Sequence, residues 1–295
     1  MVDFDLGHFI KHKFKDTLNN LKMALKSEYR FKMFNGREVL ASPGGEYKTV
    51  FEDNFQYVLD KDKWEYAQPW GNYHPDYLHQ YYDIDGIVCY TSDKGLVLGL
   101  KNLPQTFFNE ASQHPITIPT VVGMVHSKDS WKYGWFEAMI KLPEGQSYWP
   151  AFWLTGKNSW PPEIDIFEAY SHIGPKYDKP NFFKWFKRPN QKIQPNLHYG
   201  NVRDGSKQMY GPRDIPIPKV TERFVQYACL WEKNKIEIYY DGAMVFKCTD
   251  SKILEWYNKY NTQQYIVINH GLHSSFPSNP TESDMLVRSV KVMQK

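Results

Sequence analysis

Residues 163–168 read Glu163-Ile164-Asp165-Ile166-Phe167-Glu168, three carboxylates set into an otherwise apolar, β-favouring stretch. Burying acids among Ile and Phe costs several kcal/mol per unpaired charge, so folding alone gives little reason to put them there. Side chains of a strand alternate faces, so Glu163 and Asp165 share one face while Ile164 and Ile166 share the other. Glu168 lies an odd number of residues beyond Glu163 and would point the opposite way in a regular strand. A one-residue β-bulge near Ile166-Phe167 restores it to the acidic face, and bulges are frequent beside active sites. The stretch therefore predicts a kinked strand presenting Glu163, Asp165 and Glu168 in a row. The competing reading is a solvated strand face whose acids do no chemistry.

The neighbours favour chemistry. Upstream stand Tyr148-Trp149-Pro150-Ala151-Phe152-Trp153 and Trp160-Pro161-Pro162, the latter leading directly into Glu163. A pyranose presents an apolar C–H face that stacks on an aromatic ring, so such platforms beside paired acids fit sugar recognition. Two carboxyl groups about 5–5.5 Å apart are what retaining hydrolysis of a glycosidic bond needs, one as nucleophile and one as acid/base. Further out, Phe136, Ala138, Ile140 and Leu142 alternate with Trp135, Glu137, Met139 and Lys141, as in a half-buried strand. Ile236, Ile238 and Tyr240 alternate into the hairpin turn Asp241-Gly242. Residues 225–231, 264–269 and 285–293 read as late strands. No strand–helix alternation appears, which argues against a parallel α/β sheet and for an all-β, two-sheet antiparallel jelly-roll sandwich.

The W-P-A-F-W and E-I-D-x-x-E stretches resemble those of glycoside hydrolase family 16, the laminarinase, lichenase, agarase and carrageenase family. The bulged six-residue acid motif resembles the laminarinase and agarase branches. Phe51-Glu52-Asp53-Asn54-Phe55, Tyr133 to Pro143, Asn196-Leu197-His198-Tyr199-Gly200 and Tyr239-Tyr240-Asp241-Gly242 are similar to other family segments in order and spacing. The resemblance implies a concave sheet carrying the substrate cleft. It implies Glu163 as nucleophile, Glu168 as acid/base and Asp165 as their hydrogen-bonding neighbour. It also implies substrate-binding roles for Trp153, Trp160, Asn196 and His198. Trp149 shares a strand face with Ala151 and Trp153 and so points the same way as Trp153 toward substrate, with a buried core tryptophan as the competing reading. His126 falls where related lichenases carry a cleft arginine. Many family members bind a structural calcium, but Arg288 and Asn54 stand where oxygen ligands are expected, so no metal site and no cofactor is expected here.

The function these readings support is an endo-acting retaining β-glycanase on β-1,3- or mixed β-1,3/1,4-glucan. The alternatives are the same chemistry on a marine galactan (agar, porphyran or carrageenan) and a non-catalytic carbohydrate-binding jelly roll. The partner expected is a polysaccharide, with neither nucleic acid nor membrane, bound by a monomer. A net charge of +3 is too small to imply a polyanion partner by itself. Cys89, Cys229 and Cys248 form neither a disulfide framework nor a zinc pattern. Residues 1–45 read as a helical extension, with Leu18, Leu21, Leu25 and Tyr29 at helical spacing, and linker; residues 46–295 read as the catalytic domain. The first ten residues lack the pattern of a signal peptide, although the substrate points to an extracellular setting. Residues 176–192 are basic and aromatic, either to grip an anionic sugar or to pack on the rim of the sandwich.

Overall fold

The computed structural model describes residues 41–295 apart from 75, 110–111, 146, 172–190, 212–214, 216, 218, 260–262 and 274–279. The expected helix at 11–33 therefore lies outside the described residues. So does the basic stretch 176–192, save the backbone of its last two positions.

Alternating apolar positions build two stacked sheets. The seven-stranded sheet runs in the order Gln208–Tyr210, Gln191–Tyr199, Glu163–Ser171, Ala151–Gly156, Gln264–Asn269, Met124–Trp131 and Trp64–Tyr66. The ten-stranded sheet centres on Val225–Glu232, Gly134–Lys141, Ser283–Gln294 and Gly95–Lys101. Among the described residues its one parallel pairing joins the short strands Tyr81–Tyr82 and Val121–Val122, and every other pairing is antiparallel. This is a β-sandwich of jelly-roll type. A separate hairpin pairs Gln105–Asn109 with His114–Ile118.

The core fills the space between the sheets. Phe136, Ala138, Ile140 and Leu142 point into it, opposite Phe152, Leu154, Ile164 and Ile266. The outward side of Gly134–Lys141 is less open than alternation implies. Trp135 is buried there with Ala228 and Leu230, beneath Ala41, Tyr47 and Tyr239. Gln226 fastens that covering segment through hydrogen bonds with the Ala41 amide and carbonyl of 2.7 and 3.0 Å.

One helix, Ser251–Lys259, escaped the sequence reading. Asp250 caps it by accepting the Lys252 amide at 2.8 Å, and Ile253, Leu254 and Tyr257 form its buried stripe. Tyr257 carries it into the core, where its hydroxyl meets the carbonyl oxygens of Glu163 and His198 at 2.8 and 3.0 Å. Among the described residues no helix is long and apolar enough to cross a membrane.

Candidate active site

The acid strand kinks where expected. Asp165 pairs with Trp153 and Phe167 with Phe152, which leaves Ile166 without a partner on that side. On the other side Asp165 pairs with Asn196 and Glu168 with Gln194, so Ile166 and Phe167 together face Pro195. Proline has no amide hydrogen for a ladder, and within a sheet it is tolerated at edges and bulges. Gly211 lets the chain close on the same spot, because a Cβ there would run into the Pro195 carbonyl. Ile166 and Phe167 both enter the core. The Tyr240 hydroxyl donates to the Ile166 carbonyl at 2.8 Å, supplying the partner that the broken ladder withholds.

That register sorts the concave face into rows. Tyr265, Thr155, Glu163 and His198 form one. Val267, Trp153, Asp165 and Asn196 form the next, and Asn269, Ala151, Glu168 and Gln194 the third. The rows floor a cleft of about 540 Å³ lined by Trp149, Trp153, Trp160, Glu163, Asp165, Glu168 and His198.

Each acid has its own partners. Glu163 accepts from Trp160 Nε1 at 2.7 Å, and His198 Nε2 stands 3.5 Å from its other oxygen. The same His198 nitrogen lies 3.0 Å from Asp165 Oδ2. Burial and the neighbouring Asp165 carboxylate push Glu163 well above the ordinary carboxylate range, with His198 and the Trp160 indole opposing. Burial and Glu168 push Asp165 up in the same way. The row therefore retains a proton to higher pH than isolated carboxylates would. Glu168 accepts from Trp149 Nε1 at 3.0 Å, Tyr170 Oη at 2.8 Å and Asn196 Nδ2 at 2.5 Å. Donor atoms of Glu163, Asp165 and His198 gather within 4.8 Å of one another, and among the described residues no other such group of three His, Cys or acid side chains occurs.

The aromatic side chains divide by role. Trp160 is 42% exposed and offers a ring to the cleft, with Lys207 Nζ 4.1 Å from its centroid. Trp153 is fixed by a 2.8 Å hydrogen bond to Asn269 and meets Trp70 edge-on. Trp149 lines the cleft, but its N–H goes to Glu168 and Tyr170 stacks on one face, so it serves the acid more than it serves as a sugar platform. Asn196 likewise reaches Glu168. His126 is a correction: it lies in the row of Trp153 yet does not line the cleft. Its Nδ1 meets the Ala67 carbonyl at 3.0 Å and its Nε2 stands 3.3 Å from Glu65, which cover it. At the position implied for calcium, Asp53 accepts from the Phe55 amide and Trp64 indole, and Arg288 lies over the Phe224 ring. Tyr170, Trp70, Tyr77 and Lys207 were missed by the sequence reading. Only Tyr170 had a signal, because the bulge that rescues Glu168 also brings the residue two places later to the same face.

The sequence model described as Glycosyl hydrolases family 16 matches residues 85–282. The chain is 25% identical over 252 residues to a β-glucanase of Rhodothermus marinus, covering 79% of this chain and 78% of that enzyme. It is 23% identical over 268 residues to glucan endo-1,3-β-glucosidase A1 of Niallia circulans, covering 80% of this chain and 36% of that longer enzyme. The solved structure of LamAcat from Zobellia galactanivorans superposes with a TM-score of 0.65 at 22% identity, covering 83% of this chain and 97% of that one, a likeness of fold.

Proposed function

The chain belongs to glycosyl hydrolases family 16, and on that premise we propose that it is an endo-acting, retaining β-glycanase cutting β-1,3- or mixed β-1,3/1,4-glucan. The names of its relatives support the substrate: a β-glucanase and an endo-1,3-β-glucosidase. The observation that carries the mechanism is the bulge at Ile166-Phe167, which turns Glu168 onto the face of Glu163 and Asp165 inside one cleft.

In the proposed double displacement, a carboxylate oxygen of Glu163 bonds to the anomeric carbon as the glycosidic C–O bond breaks. Glu168 gives its proton to the departing oxygen, leaving a glycosyl ester on Glu163 and a carboxylate at Glu168. Glu168 then takes a proton from water, whose oxygen bonds to the anomeric carbon as the ester bond breaks. His198 Nε2 sits 3.5 Å from Glu163 and 3.0 Å from Asp165, and Asp165, held above the ordinary carboxylate range by burial and Glu168, keeps the row's proton while Glu163 attacks. The exposed ring of Trp160 stacks a sugar beside the nucleophile.

All these groups come from one chain, so we read the enzyme as a monomer acting on polysaccharide. A polymer of that size does not cross a membrane unaided, which argues for action outside the cell. Acids packed this closely repel phosphate, against nucleic acid as a partner. A non-catalytic module would be expected to lose one of the acids, whereas Glu163, Asp165 and Glu168 all line the cleft. The stretch that favoured galactans, 176–192, lies outside the described residues, and the preference for glucan rests on the names of the relatives.

Reducing-sugar release from laminarin, lichenan, agarose, porphyran and κ-carrageenan tests this reading. Laminarin or lichenan should be cut with the β-anomer released first, and Glu163→Gln and Glu168→Gln should each lose about a thousandfold or more in kcat. Full activity in either folded variant would remove the proposed roles, and turnover confined to agarose, porphyran or κ-carrageenan would overturn the substrate.

A further inference from the structure

The hydrogen bonds to Glu168 are unevenly divided between its oxygens. Trp149 Nε1 and Tyr170 Oη both end on Oε1, at 3.0 and 2.8 Å, whereas Oε2 accepts from Asn196. A carboxylate oxygen offers two lone-pair sites, and an indole N–H only donates. Tyr170 keeps its proton as well, since burial and the Glu168 carboxylate push its hydroxyl above the usual phenol range. Oε1 is therefore full, and Oε2 retains one open site.

The clamp is built by the same bulge. A regular strand would send residue 170 to the core; here Ala169 enters the core and Tyr170 stands beside Glu168. A packet of rings then fixes both donors. Tyr170 stacks on Trp149 at 5.8 Å and 22°, and His273 meets the two edge-on at 5.7 and 6.2 Å. Tyr77 closes the remaining side with an edge-on contact to Trp149 at 5.7 Å.

Building on the assignment of Glu168 as acid/base, we propose that Tyr170 and Trp149 saturate Oε1 so that the proton given to the glycosidic oxygen rides on Oε2, and that Tyr170 is a positioning residue for this transfer. As the Oε2–H bond breaks and the leaving oxygen gains the proton, negative charge on Glu168 is met by both donors. When water attacks the glycosyl ester, its proton returns to Oε2. Without the clamp the carboxyl group can turn and carry its proton on the wrong oxygen.

The test is leaving-group dependence of kcat/KM, which reports the first chemical step. Tyr170→Phe keeps the ring and removes only the donor. On laminarin, whose leaving alkoxide needs the proton, kcat/KM should fall about 10- to 100-fold, the loss expected of a hydrogen bond to a charged group. On a dinitrophenyl β-glycoside of a β-1,3-linked glucose disaccharide, whose phenolate leaves unprotonated, it should stay within about threefold. Trp149→Phe removes the other donor to the same oxygen and should repeat the pattern, which keeps the idea testable if the Tyr170 variant does not fold. Equal losses on both substrates, or no loss on either, would overturn the clamp. Glu168→Gln measured alongside separates the two levels: if it retains activity on laminarin, the acid/base assignment fails, whatever the Tyr170 variant does.

Discussion

Replacing Glu163 by Gln should make the protein more stable while abolishing its activity. The ligand atoms of Glu163, Asp165 and His198 lie within 4.8 Å of one another. At that separation and an effective dielectric near 20, two unit negative charges repel by about 3 kcal/mol. The wild type already relieves part of this by holding a proton in the row, and His198, when charged, offsets more, so a net gain of about 1–2 kcal/mol is expected at pH 8. Gln remains an acceptor for the Trp160 indole, so that bond survives. For a domain of this size the gain corresponds to a Tm higher by about 2–4 °C. The sign with pH follows from the upward shift. Because the folded pKa of Glu163 lies above its ordinary value of 4.5, the row costs nothing while protonated in both states. The cost appears as pH rises from there and is complete once the raised folded value is passed. Calorimetric melting of both proteins from pH 4 to pH 9 should therefore give coincident Tm values at the acid end and a growing advantage for the variant above it. An equal or lower Tm for the variant at pH 8, or an advantage as large at pH 4, would refute the reasoning.

Other variants probe the supports of the site. Asp83 is buried and accepts the amides of Asp85, Gly86, Val88 and Cys89 at 2.7–3.0 Å, so Asp83→Ala should cost about 2–4 kcal/mol, read as a lowered Tm. Tyr240→Phe strips the bulge carbonyl of its donor; about 1–2 kcal/mol of stability should go with it, and kcat should fall about tenfold as Glu168 loses register. His126→Gln should leave KM within about twofold while lowering Tm, because its contacts are with Ala67 and Glu65 rather than with the cleft. Trp160→Phe keeps a stacking ring but removes the donor to Glu163, so kcat should drop about tenfold or more with a smaller change in KM.

What could be read from the sequence was what short-range periodicity encodes. The alternation of Phe136, Ala138, Ile140 and Leu142 carried the core face of its strand, and the odd spacing of Glu163 and Glu168 carried the bulge. Pro195 held a second signal for the same kink, which no local reading of its own strand could connect to a residue some thirty positions earlier. Trp135 looked half-exposed because the cover supplied by Ala41 and Tyr47 is far away in sequence. The helix at 251–259 was hidden by its shortness, although Asp250 and the stripe Ile253, Leu254, Tyr257 marked it. Trp70, Tyr77 and Lys207 arrive on loops, whose reach depends on the whole sandwich. His126 was misplaced for the same reason: its row was readable, the segment lying over it was not.

The site is held by its least reactive residues. An acidic row is a standing cost to folding, and it persists only where neighbours fix it more firmly than it repels itself. Ile166 and Phe167 do this by entering the core at the one point where the ladder is broken, so that straightening the strand would withdraw one of two buried apolar side chains. Burial of such a side chain is worth about 1.5–3 kcal/mol, comparable to the repulsion the row imposes. Tyr240 and Tyr257 then donate to carbonyls of the same strand from the core side, leaving the concave side free for chemistry. A substitution that shrinks Phe167 therefore acts on catalysis through register. Phe167→Ala should lower kcat even under conditions where the variant stays folded, because the anchor that turns Glu168 toward Glu163 is gone.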